Sequence, residues 1–379
     1  MIVEELTVVA FDGTDISDLT KGLTLFESIN GFIKGSIQIQ DGVNFYDIVI
    51  GIPDRLVPVE ISFTHNNIEC TNNFFIDGIT NMTIKKSVKE YTMHLISPFE
   101  QTLKLSQINE VFSGTSDEIV SNIFETITGP KARIIIEAKA ITKGKYIVPN
   151  ISAKSAIANV VNGAIDNQRS GFYFYQRLYD WGGTRLSSLR SMTNNFFRDK
   201  QNNDFEITSN IPTQQEIGTW QGAGTANDFT ISEYKMNYTD KLASGVWGYK
   251  INHIKLDETK VIKNNPLERT STEITEYKTS DNLYDNNVKN LFASANDPDN
   301  IASVNERIRI RDTILKISDM TPIPTIGCGY AIKVSMGGSD RSISISDGAY
   351  IISDINHIFT WEGNSFDYIQ NMTLIREMA

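Results

Sequence analysis

Four short alternating stretches occur twice in this chain, in the same order, and they limit its possible folds more than any other feature. "IQIQD" (Ile37–Asp41) stands against "LKISD" (Leu315–Asp319), and "VEISF" (Val59–Phe63) against "IKVSM" (Ile332–Met336). "IDGITNMT" (Ile76–Thr83) stands against "ISDINHIF" (Ile352–Phe359), and "TMHLI" (Thr92–Ile96) against "NMTLI" (Asn371–Ile375). Apolar residues at every second position predict half-buried strands. A repeat with fixed order and offsets of 273 to 279 residues predicts two copies of one small antiparallel β-domain, one at each end.

The last copy ends in a hairpin. Phe366, Tyr368, Met372 and Leu374 share one face of its second strand, while Asp367, Asn371, Thr373 and Glu377 take the other. Trp361-Glu362-Gly363-Asn364 supplies the turn. The offset grows by three residues across the hairpin, so its tip should be about three residues longer than that of the first copy.

Between the copies the texture changes. Thr115 and Glu118 form a capping box ahead of a helical stripe, Ile119, Val120, Ile123, Phe124 and Ile127, which Gly129-Pro130 stops. Ser152 caps a second helix whose apolar side is Ala156, Ile157, Val160, Val161, Ala164 and Ile165. "GFYFYQRLYDWGGTRLSSL" then reads as two strands around Gly182-Gly183. The expected organisation is an antiparallel β-domain over 1–106, an α/β middle domain over 107–217, and a second β-domain over 218–256 and 312–379. Residues 257–311 are an inserted polar segment, extended on the surface and ending in a helix over Pro298–Arg311. The fold class is therefore mainly β with an α/β middle domain.

At 379 residues more than one domain is expected. Cys70 and Cys328 make neither a disulfide framework nor a zinc pattern and read as small buried hydrophobes. The start, "MIVEELTVVAFDG", is acidic where a signal peptide is basic, and no run reaches ~18 apolar residues, so synthesis in a cytoplasm without membrane insertion is expected. A net charge of −11 argues against gripping nucleic acid.

No chemistry stands out. His65, His94, His253 and His357 sit in no metal spacing and beside no nucleophile, and His94 and His357 lie on repeat strands. The phosphate-binding, esterase and zinc-protease motifs are missing. "GTWQGAGTAND" (Gly218–Asp228) misses the dinucleotide spacing and reads as a linker. "DPDN" (Asp297–Asn300) lacks the glycine and closing glutamate of a calcium loop and reads as a helix start. Trp181, Trp220, Trp247 and Trp361 are scattered, and packing explains them better than sugar stacking. No carboxylate pair is singled out. The expectation is no enzyme, no catalytic residue, no cofactor and no metal.

"LFESINGFIKGSIQIQDGVNFYDIVIGIPDRLVPVEISF" (Leu25–Phe63), "GFYFYQRLYD" (Gly171–Asp180), "PIPTIGCGYAIKV" (Pro322–Val334) and the terminal hairpin, in this order, resemble baseplate hub proteins of contractile-tailed bacteriophages, the T-even-like hub subunit above all. The resemblance implies two tail-tube-like antiparallel β-barrel domains in one chain, interrupted by a middle domain. It implies a homotrimeric, pseudo-sixfold ring that joins a sixfold tail tube to a threefold central spike and contacts other baseplate proteins. DNA would only pass through its channel, and the protein would sit in the virion. Two alternatives stay open: the hub part of a type VI secretion or other contractile injection spike, and a β-rich receptor- or glycan-binding tail protein. A hydrolase is a third and would need a cleft with perturbed carboxylates.

Overall fold

Alternation becomes sheet in both halves of the chain. The computed structural model describes residues 5–10, 13–50, 56–129, 132, 134–167, 170–179 and 183–198, then 206–210, 219–221, 230–236, 249–256, 271–278, 289–293, 307, 311, 313–323, 325–337, 348–363 and 365–376.

The N-terminal part holds β1 (Glu5–Ala10), β2 (Thr14–Asp15), β3 (Thr20–Ser28), β4 (Lys34–Asp41), β5 (Pro58–His65), β6 (Ile68–Lys85) and β7 (Val88–Ile96). The middle part holds α1 (Pro98–Leu105), β8 (Gln107–Ile108), β9 (Val111–Thr115), α2 (Ser116–Thr128), β10 (Ile134–Ile136), β11 (Lys143–Ile147), β12 (Ile151–Ser152), α3 (Ala153–Gly163), β13 (Phe172–Gln176), β14 (Thr184–Ser188) and α4 (Leu189–Arg198). After it come β15 (Glu206–Asn210), β16 (Thr219–Gln221), β17 (Thr230–Met236), β18 (Tyr249–Leu256), β19 (Ser271–Lys278), β20 (Lys289–Ala293), β21 (Thr313–Met320), β22 (Ala331–Gly337), β23 (Gly348–Trp361) and β24 (Phe366–Arg376).

The repeat is structural. In the first unit β4 pairs with β7, β7 with β6 and β6 with β5, all antiparallel. In the second, β21 pairs with β24, β24 with β23 and β23 with β22 in the same sense. β3 lies on the other edge of β4, and β17 on the other edge of β21. Each long hairpin carries a bulge at the same place, between Ile76 and Gly78 in one and between Ile352 and Asp354 in the other. Beyond it Ile79 faces Met93 as Ile355 faces Met372, and Val59 faces Phe74 as Ile332 faces Tyr350. Three of the four sequence matches thus hold to the residue.

The fourth is displaced. Ile37 faces Met93, but it is Ile317 and not Leu315 that faces Met372. The correction is two residues, which leaves every side chain on its expected face, so alternation alone could not detect it. The C-terminal hairpin is longer, as expected. Eleven residues separate Thr80 from Thr92 and fourteen separate Asn356 from Asn371. The turns hold two residues, Lys86 and Ser87, and four, 362–365.

Three strand placements differ from the sequence reading. β15, read as part of the middle region 107–217, pairs in parallel with β22 of the second unit. β18, read as part of that unit, instead joins β19 and β20 in a separate three-stranded sheet. The polar stretch 257–299, expected as an extended excursion, supplies β19 and β20. Alternation marks a strand but does not name its partner. The expected helix over Pro298–Arg311 and the "DPDN" stretch lie outside the described residues, apart from Arg307 and Arg311.

In the middle part the capping box at Thr115 and Glu118 is present, with the Thr115 N–H donating to Glu118 Oε2 at 2.8 Å. The Ser152 hydroxyl accepts from the Ser155 N–H at 3.2 Å. Ile119, Val120, Ile123 and Phe124 of α2 meet Ala156, Ile157 and Val160 of α3 over Phe172 and Leu186. Buried Glu100 on α1 anchors this layer to the first unit through Lys154 on α3 (2.5 Å) and Lys34 on β4 (3.8 Å). Among the described residues no helix is long and apolar enough to cross a membrane.

Candidate functional site

The feature that joins everything else is a seam. β3 of the first unit pairs with β4 on one edge and, on the other, antiparallel with the outer half of β23, from Ser28 against Asp354 to Gly22 against Thr360. Two equivalent units thereby share one continuous sheet. The outer half of the C-terminal hairpin packs into the core of the first unit. Phe359 stacks on Tyr368 at 4.3 Å between ring centroids and meets Phe63 at 4.9 Å.

A buried polar network welds the seam. Glu27, fully buried on β3, accepts three N–H groups. His357 Nε2 and the Leu178 amide reach Oε1, each at 3.1 Å, and the Cys328 amide reaches Oε2 at 3.1 Å. With Nε2 donating to a carboxylate, Nδ1 of His357 accepts from the Tyr368 hydroxyl at 2.8 Å. That hydroxyl in turn accepts from Gln370 Nε2 at 3.0 Å. Arg177 donates to the Cys328 carbonyl at 2.7 Å and lies 3.9 Å from the centroid of the Tyr330 ring. The acceptor Glu27 comes from the first unit and the donors from the middle part and the second unit, so the network fixes all three together. Losing any one member would leave buried polar groups unpaired.

Two glycines missed by the motif search make room for it. Gly329 has φ +77, and a Cβ there would fall on the Tyr175 hydroxyl. A Cβ on Gly327 would meet the Arg177 side chain. The signal was the G-x-G of "IGCGY": Gly329 is the left-handed third residue of a turn closed by the Tyr330 N–H on the Gly327 carbonyl at 3.3 Å, and both glycines admit close approach of neighbouring side chains.

The histidines divide. His65 is buried and edge-on to Tyr368, with centroids 5.3 Å apart. His94 bonds Thr80 Oγ1 at 2.8 Å on the half-exposed face of the first hairpin. His357 is the network residue, and His253 lies on β18. Trp361 packs edge-on against Phe366 at 5.0 Å. Trp220 lies on β16, and Trp181 and Trp247 fall outside the described residues. Cys70 and Cys328 are buried and unpaired. Burial pushes the Cys70 thiol up to about 12 and the Cys328 thiol well above its ordinary value, so neither is a thiolate nucleophile near neutrality. Among the described residues no cluster of three or more His, Cys, Asp or Glu could hold a metal ion. A cleft between Phe32, α1, α3 and β13 is largely apolar, and its cations are engaged: Lys154 by Glu100, Arg307 by Asn162 Oδ1 (2.8 Å) and the Val161 carbonyl (3.1 Å).

No protein-family model matches the chain, and no curated protein matches it significantly. Solved structures do. A tail protein from Neisseria meningitidis MC58 matches with a TM-score of 0.61 at 10% identity, over 98% of this chain and 96% of that one. The 43 kDa tail protein of prophage MuSo2 from Shewanella oneidensis matches with 0.61 at 9%, over 98% of both chains. An E. coli component of the type VI secretion system, itself similar to the T4 tail proteins gp27 and gp5, matches with 0.50 at 10%, over 99% of this chain and 76% of that one. What these likenesses establish is the fold: a mainly β chain of the phage-tail type, two antiparallel tube-like β-units with an α/β part between them.

Proposed function

We propose that this protein is a structural component of a phage tail, the baseplate hub, acting as a trimeric ring between a sixfold tail tube and a threefold central spike. The observation that carries the reading is the seam between two equivalent units in one chain. A chain with two near-equal units presents three copies as six, which lets a threefold object dock on a sixfold one. The fold shared with two phage tail proteins over nearly the whole chain supports it. The role is non-enzymatic. Its partners are a tail tube protein, a spike protein and other baseplate proteins, and its place is the virion. DNA passes through the channel without being held, in keeping with a net charge of −11. The likeness to the type VI component favours a second reading, the hub part of a contractile injection spike. Light scattering on the purified chain, alone and with a tail tube or spike protein encoded beside it, tests the proposal. Trimers in either setting are expected, and monomers in every mixture would overturn it. Capture by the tube of a tail or of a secretion machine separates the two readings.

A further inference from the structure

The cleft on the middle part is apolar at its floor and cationic at one rim. It lies between the β3–β4 turn, α1, α3 and β13, with Arg307 at one side, and has a volume of about 230 Å³. On its floor Phe32, Leu103, Ile157 and Val161 are buried, and Phe174 meets Phe32 edge-on with centroids 5.5 Å apart. An engineered apolar cavity of ~150 Å³ takes up benzene, so this cleft has room for one aromatic side chain. A ring that enters extends the edge-to-face pair of Phe32 and Phe174.

The cationic rim is not balanced. Lys154 lines the cleft, and its ammonium lies 2.5 Å from Glu100 Oε1. Lys34 and Lys104 reach the same oxygen, each at 3.8 Å. Asp77 stands 4.0 Å from Lys104, and among the described residues no further carboxylate comes that near the three ammonium groups. Three cations therefore meet two carboxylates, in a chain whose net charge is −11. Lys154 and the buried Glu100 form the close pair, which keeps the rim in place. Lys34 and Lys104 are 53% and 40% exposed, and at 3.8 Å their share in Glu100 is weak.

We propose that this cleft docks an extended segment of another protein, one that carries an aromatic side chain with one or two carboxylates beside it. The ring fills the apolar floor. The carboxylates take Lys34 and Lys104, while Lys154 stays on Glu100. A basic segment would set its own charges against the surplus ammonium groups, so the rim selects for acid. Buried aromatic anchors carry most of the energy of such contacts, and rim charges fix the orientation. The site is complete within one chain and stands apart from the ring proposed above.

The test is calorimetric titration of the full-length chain with capped pentapeptides. Two temperatures are used, so that a binding heat near zero at one shows at the other. The probe is Ser-Trp-Asp-Glu-Ser. It should bind on the order of tenfold more tightly than Ser-Trp-Lys-Lys-Ser or Ser-Ala-Asp-Glu-Ser. Lys34→Gln with Lys104→Gln should weaken the probe roughly fivefold, as two half-exposed ion pairs would, and added salt should act in the same direction. Ala158 lines the cleft from the exposed side of α3. Ala158→Phe should therefore fill the cleft and abolish binding while the urea midpoint stays as it was. Failure of the probe to bind, or equal affinity for the lysine peptide, would overturn the proposal. Phenylacetate binding as tightly as the probe would overturn it too, because the cleft would then be a small-molecule pocket. None of these results touches the oligomeric state, on which the hub reading is tested.

Discussion

The two hairpin arms of this molecule share their strand pairing and one bulge, to which the N-terminal arm adds a second between Thr80 and Thr83, yet they have opposite surroundings. In the C-terminal arm Phe359, Phe366 and Tyr368 are buried against the first unit. In the N-terminal arm Thr80–Lys85 are all exposed. The difference comes from what lies on the open edge: β3, with Glu27 and the core around Phe63, in one case and no strand among the described residues in the other. An arm of this kind is a half-finished sheet, and its stability belongs to the partner strand as much as to its own turn.

The most severe way to break the comparison is Glu27→Leu. It leaves the N–H groups of His357, Leu178 and Cys328 without their acceptor. At about 1–3 kcal/mol for each unpaired buried group, a loss of roughly 5 kcal/mol is expected. Urea unfolding measures it, and hydrogen exchange should rise over 354–360 while 78–85 stays as it was. A loss below about 1 kcal/mol would show that the seam is held by packing alone. Phe359→Ala should cost about 3–4 kcal/mol by removing a ring packed against Phe63 and Tyr368. Gly329→Ala comes next. The Gly329 amide donates to the Ile352 carbonyl at 2.7 Å, at the base of the C-terminal arm. A left-handed alanine there that also displaces the Tyr175 hydroxyl should cost about 3 kcal/mol in the same assay.

Alkaline pH sharpens the comparison further. Burial holds the Tyr368 phenol well above its ordinary pKa of 10. Below pH 10 the folded and unfolded states both keep the proton. Above it the unfolded chain releases the proton while the folded one retains it, so stability falls as pH rises. Tyr368→Phe should reduce that slope by about 1.4 kcal/mol per pH unit above pH 10, read from urea midpoints between pH 9 and 11. An unchanged slope would mean that the phenol ionises freely in the folded state. Smallest is Ile84→Asp on the bare arm, which should change the stability of the unassembled chain by less than about 0.5 kcal/mol. A large loss would mean that this arm is already covered.

Much of this was legible beforehand. Ile79 and Ile355, Val59 and Ile332, and Met93 and Met372 were paired from letters alone, because each sits where alternation, order and offset agree. Ile37 was matched with Leu315 rather than Ile317 because a two-residue slide keeps every apolar side chain on its face. The helices of the middle part were legible from their caps, Thr115 with Glu118 and Ser152. The seam was not. Glu27 and His357 are 330 residues apart and belong to no motif.

The sequence by itself determined the strands of the two repeated units, the duplication and the two capped helices, since period, propensity and capping act over a few residues and are written in neighbouring letters. Only the tertiary structure decided that β23 and not β6 is covered, that β18 leaves the main sheet, and that Glu27, His357, Tyr368 and Arg177 share one buried network. Which edge meets which depends on main-chain groups that every residue carries alike, so local sequence is silent about it. The choice falls to long-range burial and to the few polar side chains that can be satisfied in only one arrangement.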